Sequence, residues 1–162
     1  MPEPRLELLR RDHAPALLAF EQENRAYFAA AIPDRGDAYF ADFTARHEAL
    51  LTEQATGACY FHVLVAGAEI LGRLNLVDVS AGSAELGYRI AEKATGRGLA
   101  TRAVQHLCEV AATDYGLTEL RAATTLDNTA SATVLTRAGF APIGKTVLDG
   151  QPGTTYRKSL AL

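Results

Sequence analysis

Apolar residues recur along the chain with two different periods, and the switches between them predict the elements. The cluster at 6–9 predicts a short first strand, and Asp12 stands where a helix cap would follow. Leu17, Leu18, Phe20, Ala26 and Tyr27 fall at helical spacing within 14–30, before Pro33 and Gly36 break the run. A second helical run spans 38–57 and ends on Gly57. Residues 59–65 and 69–79 look like strands joined by the turn at 66–69, and 84–90 predicts a further strand. Ala100, Val104, Leu107 and Ala111 then mark a helix over about 98–115, stopped by Gly116. A strand at 119–125 follows. The next helix, at 129–138, is capped by Asn128 or Thr129 and stopped by Gly139. The strands 140–148 and 154–160 close the chain around the turn at 149–153. The order is β-α-α-β-β-β-α-β-α-β-β, which predicts one mixed α/β sheet with helices on its faces in a single domain, 1–162.

Composition narrows the function classes. The chain has 162 residues, 48% hydrophobic and 22% charged, with a formal net charge of -3. That is an ordinary balance for a globular protein, without the basic field that nucleic acid would need. No apolar run approaches the roughly 20 residues of a membrane span, and the N-terminal residues lack a signal-peptide core. The expectation is a cytoplasmic protein with neither nucleic acid nor membrane as a partner. The two cysteines, Cys59 and Cys108, have no paired-motif spacing, and Cys108 on a helical apolar face reads as a buried thiol. The four histidines are scattered, and no metal site is expected.

The stretch "KATGRGLATRAV", 93–104, carries candidate chemistry. Two glycines gather where a helix begins. The first turn of a helix has unpaired N–H groups and a partial positive charge, so a phosphate can be held there by backbone alone. Gly96 and Gly98 would let it approach, and Arg97 would add a charged contact. The alternative is a tight strand-to-helix turn with a solvated arginine. A Walker loop would need Gly-Lys-Ser/Thr here, and a dinucleotide fingerprint would need glycine where Thr101 stands.

A second segment, "TTLDNTASATVLTRAGFAPIG" at 124–144, places Asn128 at the mouth of a helix and Ser131 one turn in. With "ELGYRI", "GRGLAT", "DNTAS" and "LTRAGF" in this order, the chain resembles the GNAT superfamily of N-acetyltransferases. Its early two-helix layout is most like the branch that acetylates ribosomal-protein N-termini. The resemblance implies a mixed, mostly antiparallel sheet of about seven strands, splayed between strands four and five and flanked by about four helices. It implies acetyl-CoA as cosubstrate. The pantetheine would pair with backbone at Tyr88, Arg89 and Ile90 on a bulged strand, where a freed N–H near Tyr88 would hold the developing oxyanion. The pyrophosphate would lie on Thr95, Gly96, Arg97, Gly98, Leu99, Ala100 and Thr101, and Asn128 would bond the pantetheine or serve only as a cap.

Acetyl transfer needs a neutral amine, and an α-amine has a pKa near ~8. Glu85 is the candidate base, although strand parity leaves its direction open. The family often has a tyrosine acid at the position of Leu135; here Ser131 is the nearest hydroxyl by motif, in either a catalytic and cofactor-binding role or a helix-turn role. Thr95 stands where the family signature has Gln or Arg, and Arg102 where it often has Glu, with no role evident for that change. Tyr27, Phe28, Tyr39 and Phe40 are candidates for the acceptor wall. Glu21, Glu23, Asp34, Asp37, Asp42 and Glu48 could attract an ammonium group or form a solvated face. The acceptor is a protein N-terminal α-amine or a small-molecule amine. A non-catalytic acyl-CoA-binding module and, more weakly, a nucleotide-binding domain are the competing readings. The oligomeric state is open, a homodimer included.

Overall fold

The computed structural model describes residues 3–160; Met1, Pro2, Ala161 and Leu162, which the 1–162 expectation includes, lie outside the described residues. The elements are β1 (Arg5–Leu8), α1 (Ala14–Glu23), α2 (Arg25–Ala29), α3 (Asp37–Ala41), α4 (Phe43–Ala55), β2 (Tyr60–Ala66), β3 (Glu69–Ser80), β4 (Ser83–Ile90), α5 (Leu99–Thr113), β5 (Glu119–Thr125), α6 (Thr129–Arg137), β6 (Ala141–Leu148) and β7 (Gln151–Ser159). Single 3-10 turns sit at Arg11–His13 and Glu92–Ala94. The sheet has seven strands in the order β1-β2-β3-β4-β5-β7-β6. β1 runs antiparallel to β2, and β7 lies antiparallel to both β5 and β6. The β4–β5 pair is parallel, as expected for strands joined through a helix.

The parallel ladder is short. It joins Ser83, Ala84 and Glu85 to Glu119, Leu120 and Arg121, while β4 runs on to Ile90 and β5 to Thr125. This is the expected splay between the fourth and fifth strands.

The chain divides into two compact units. The first comprises the residues up to Asn75 with Tyr88–Thr95; its core is built from Leu17, Phe20, Phe43, Val63, Leu71 and Leu74. The second comprises Leu76–Gly87 and the residues from Gly96 onward; its core gathers Leu76, Leu86, Val104, Leu107, Leu120 and Leu135. Helical spacing accounts for the buried stripe of α5, where Ala103, Val104, Leu107, Cys108 and Ala111 all lie inward. Cys59 and Cys108 are both buried free thiols. Burial pushes the Cys59 thiol up to about 11, with the nearby Glu53 adding to the shift.

Six α-helices replace the expected four, because both early runs are broken. The first breaks at Asn24, whose φ of -102° and ψ of 9° leave the helical region. Its side-chain amide donates to the Phe20 carbonyl at 2.9 Å, and its Oδ1 accepts the Glu92 N–H at 3.0 Å. A partner 68 residues away thus fixes the break, so local spacing could not reveal it. The second run breaks at Asp42, with Tyr39 and Phe43 packed edge to face across it at 5.8 Å. Asp12 is not a helix cap: it lies inside the first 3-10 turn and accepts from Arg10 Nε at 3.0 Å. The closing turn is tighter than expected. Asp149 and Gly150 both take positive φ, so β7 already starts at Gln151.

Candidate active site

The glycine stretch forms a left-handed entry into α5. Gly96 has φ +78° and Gly98, the residue before the first helical turn, has φ +70°. A side chain is strained at either position. The first backbone bond of the helix runs from the Arg102 N–H to the Gly98 carbonyl at 3.1 Å, so the N–H groups of Leu99, Ala100 and Thr101 precede the ladder. Gly96, Arg97 and Gly98 are exposed, Leu99 is buried, and Ala100 and Thr101 are half-buried. A Cβ at Gly96 would meet nothing within 4 Å, so there is open space over the loop. Arg102 donates from Nη1 to the Arg97 carbonyl at 3.1 Å and so clips the loop from behind. This is a role for the arginine that sequence alone left unexplained. Backbone donors, positive-φ glycines and open space together fit a pyrophosphate.

The same unit brings Asn128 and Ser131 together. Asn128 caps α6, accepting the Ser131 N–H on Oδ1 at 3.1 Å. Both residues are half-buried. Gln105 Nε2 on α5 reaches the Arg137 carbonyl on α6 at 3.4 Å, linking the two helices whose N-termini carry the candidate contacts. Leu135, at the position of the family tyrosine, is 1% exposed and belongs to the core. Glu85 pairs across from Arg121 and is exposed. Ala84 and Leu86 are buried while Glu85 and Gly87 are exposed, so the alternation along β4 is regular at this point.

The first unit holds Tyr88, Arg89, Ile90 and Thr95. Ile90 is buried, and Tyr88 and Arg89 are half-buried. Ala91 continues the edge, its N–H bonded to the Leu71 carbonyl at 2.8 Å. Thr95 is exposed, and its hydroxyl donates to the Glu92 carbonyl at 2.7 Å, which closes the 3-10 turn ahead of the glycines.

The unexpected feature of this unit is Glu21. It is 1% exposed rather than part of a solvated acidic face. Arg35 grips its carboxylate in a fork, at 3.0 Å through Nε and 3.1 Å through Nη2. Arg73 Nη1 donates to it at 2.8 Å and Arg89 Nη1 at 3.1 Å. Arg73 also donates to the Tyr39 hydroxyl at 3.0 Å. Burial alone would raise the Glu21 carboxyl, but the Arg35 bonds and the charges of Arg73 and Arg35 outweigh it and hold it below the ordinary range. Burial and the nearby Arg35 charge lower the Arg89 guanidinium, against the pull of Glu21. Arg89 lies over Phe28 at 4.5 Å and Arg35 over Tyr39 at 4.6 Å.

Of the remaining acidic candidates, Asp42 is exposed and keeps to the solvated reading, while the other four are paired. Asp34 and Asp37 take Arg25, Glu23 takes Lys93, and Glu48 takes Arg11. Phe40 lies under Arg25 at 4.4 Å. Sequence reading missed the arginine cluster, although it left a signal. Leu17, Phe20, Glu21, Asn24 and Phe28 share one helical stripe, and all are buried. A glutamate on an apolar stripe, and Arg73 inside the apolar run of β3, are both out of pattern.

Comparison with known proteins gives the family. Residues 5–141 match the family described as "Acetyltransferase (GNAT) domain". No curated protein matches the chain in sequence. Among solved structures, ribosomal-protein-S5-alanine acetyltransferase from Vibrio fischeri is similar at a TM-score of 0.91 and 20% identity, over 98% of this chain and 94% of that one. Mycobacterium smegmatis RimJ, in complex with CoA-disulfide, is similar at 0.88 and 22% identity, over 98% and 82%. The microcin C7 self immunity acetyltransferase MccE, in complex with acetyl-CoA and AMP, is similar at 0.81 and 19% identity, over 95% and 92%. At such identities the likeness shows the shared fold. The family match over most of the chain goes further: this protein belongs to the GNAT acetyltransferases.

Proposed function

We propose that the chain, acting as one domain, transfers the acetyl group of acetyl-CoA to a primary amine, most readily a protein N-terminal α-amine, by direct attack within a ternary complex. The observation that carries this reading is the three-residue β4–β5 ladder, because β4 continues past Glu85 without that partner. Backbone groups of Tyr88, Arg89 and Ile90 would then serve the pantetheine arm. The N–H groups of Gly96–Thr101, with Thr95 and Arg97 beside them, would take the pyrophosphate, and Asn128 would bond the arm from the mouth of α6. Acetyl-CoA supplies an activated thioester carbonyl. The chain's part is to position the amine, remove its proton and steady the charge on the carbonyl oxygen. In this assignment Glu85 takes the proton, directly or through water, and the backbone N–H near Tyr88 donates to the oxyanion. The Ser131 hydroxyl donates to the departing sulfur. The α-amine acceptor is supported by the likeness to the S5-alanine acetyltransferase and to RimL, a ribosomal L7/L12 alpha-N-protein acetyltransferase. A likeness to the spermidine N-acetyltransferase SpeG from Vibrio cholerae, at a TM-score of 0.78 and 15% identity, supports a second reading, a small-molecule amine. The two free, buried cysteines suit a reducing, cytoplasmic setting, and no helix among the described residues is long and apolar enough to cross a membrane.

Two variants test the residue roles. Glu85→Gln should lower turnover by roughly 10²-fold or more near neutral pH, with the loss shrinking as higher pH deprotonates the amine directly. Ser131→Ala should lower kcat more than it weakens acetyl-CoA binding. An unchanged pH profile in the first variant would remove Glu85 as the base, and a loss confined to acetyl-CoA affinity in the second would make Ser131 a binding residue.

A further inference from the structure

The Glu21 cluster has more positive charge than its structural task uses. One carboxylate, 1% exposed, faces three guanidiniums whose side chains are 6% (Arg73), 17% (Arg89) and 29% (Arg35) exposed. Its two oxygens accept four bonds, which fills its lone pairs. Among the described residues, two positive charges of the inner three are therefore left without an anion bonded to them, in a site largely removed from water, which is unfavourable without a counter-charge. The aromatic faces of Phe28 and Tyr39 offset part of that cost. At the rim Arg25 faces two carboxylates, Asp34 and Asp37, so one surplus negative charge there offsets part of the inner excess and leaves the cluster net positive.

Beside the cluster lies a cavity of ≈ 10 Å³, room for one water-sized group, walled by Glu21, Arg35, Arg89, Phe28, Phe40 and Asp34. Among the described residues Arg35 bonds through Nε and Nη2 and Arg89 through Nη1, which leaves Arg35 Nη1 and the outer Arg89 nitrogens as donors. Arg89 also lies on the segment of β4 whose backbone is assigned to the pantetheine arm. An extended peptide advances about 3.3–3.6 Å per residue. An acceptor whose amine meets the thioester beside Arg89 would bring its next one or two residues under that guanidinium.

We infer that the Arg35–Arg89 wall is an anion subsite that selects acceptors carrying a carboxylate or phosphate group within one or two residues of the acetylated amine. The inference rests on the acetyltransferase reading. It adds that the preferred substrate is acidic, the opposite of what a surface rich in carboxylates suggests. An oxygen of the anion enters the cavity and accepts from Arg35 and Arg89, while Glu21 holds both guanidiniums in place.

The test uses matched pairs of acceptors with acetyl-CoA and the full chain. One series is N-terminal peptides with Glu-Glu, Gln-Gln or Lys-Lys after a first alanine. The other is small amines with and without a carboxylate or phosphate. The acidic member should exceed the neutral one by at least about tenfold in kcat/KM, and Lys-Lys should be poorest. Arg35→Gln should bring the acidic-to-neutral ratio toward one, and Arg35→Lys should keep part of it. Preference confined to the small amines would retain the subsite and replace the peptide as acceptor. Equal use of acidic and neutral members, or a ratio unchanged in Arg35→Gln, would overturn the subsite while leaving the acetyltransferase standing. Should no amine in either series be acetylated, the transfer reading fails. Calorimetry with the same pairs then decides the subsite: tenfold tighter binding of acidic members upholds it and equal binding overturns it.

Discussion

Glu21 occupies a helical position that spacing assigns to an apolar side chain, and its chemistry follows from that placement. A carboxylate in the stripe of Leu17, Phe20 and Phe28 is tolerable only with cations brought to it. Arg35, Arg73 and Arg89 arrive from a loop, β3 and β4. Glu21→Gln would leave the three guanidiniums facing one another, and we expect a loss of about 3–5 kcal/mol in urea denaturation. A loss under about 1 kcal/mol would mean that the arginines do not depend on this charge. Acid should act in the same direction. The Glu21 carboxyl is lowered in the folded state, and Asp34 and Glu119 are held at about 2, Asp34 chiefly by Arg25 and Glu119 by Arg157 and Arg121. A depressed carboxyl stabilises the fold above its unfolded pKa, near 4.5 for Glu, and that contribution is lost as pH falls through the folded value. Thermal melts should therefore give a level Tm above about pH 5 that falls continuously toward pH 2. A Tm that held constant over that descent would contradict the assignment. The odd residue types at 21 and 73 are visible in the sequence, but their meeting is not, because 52 residues separate them.

At the scale of elements, α5 was legible because one segment contains everything that builds it. Paired glycines, a buried stripe and a closing Gly116 all lie within 96–116. The expected 98–115 is Leu99–Thr113 in the structure. The breaks at Asn24 and Asp42 were not legible, since Asn24 is fixed through Glu92 and Tyr39 through Arg73. The Gly98 conformation gives α5 its exposed N-terminus. Gly98→Ala would force an L-residue to φ +70°, at a cost of about 1–2 kcal/mol. The added Cβ would also lie 3.2 Å from Arg102 Nη1, the movable end of a long side chain, so the backbone strain should dominate. We expect that stability loss together with weaker acetyl-CoA binding by calorimetry. Unchanged binding in a destabilised variant would confine Gly98 to a structural turn.

At the scale of the whole molecule, the order of strands and helices was recoverable because each element has its own period and its own stop. The strand order β1-β2-β3-β4-β5-β7-β6 was not, because pairing β7 between β5 and β6 leaves no mark in local spacing. The family could be recognised from "ELGYRI", "GRGLAT", "DNTAS" and "LTRAGF", all of which lie on or beside β4, α5 and α6. The acceptor could not, because its candidate wall depends on charges drawn from positions 21, 35, 73 and 89. Acetyl transfer to an α-amine is the central claim of the proposed function. Its most direct measurement is CoA thiol release from acetyl-CoA with an alanine-initiated peptide, compared with the same peptide blocked at its N-terminus. The account predicts release with the free peptide, one acetyl group on its α-nitrogen and none with the blocked one. Equal release with both peptides, or none with the free peptide, would contradict it.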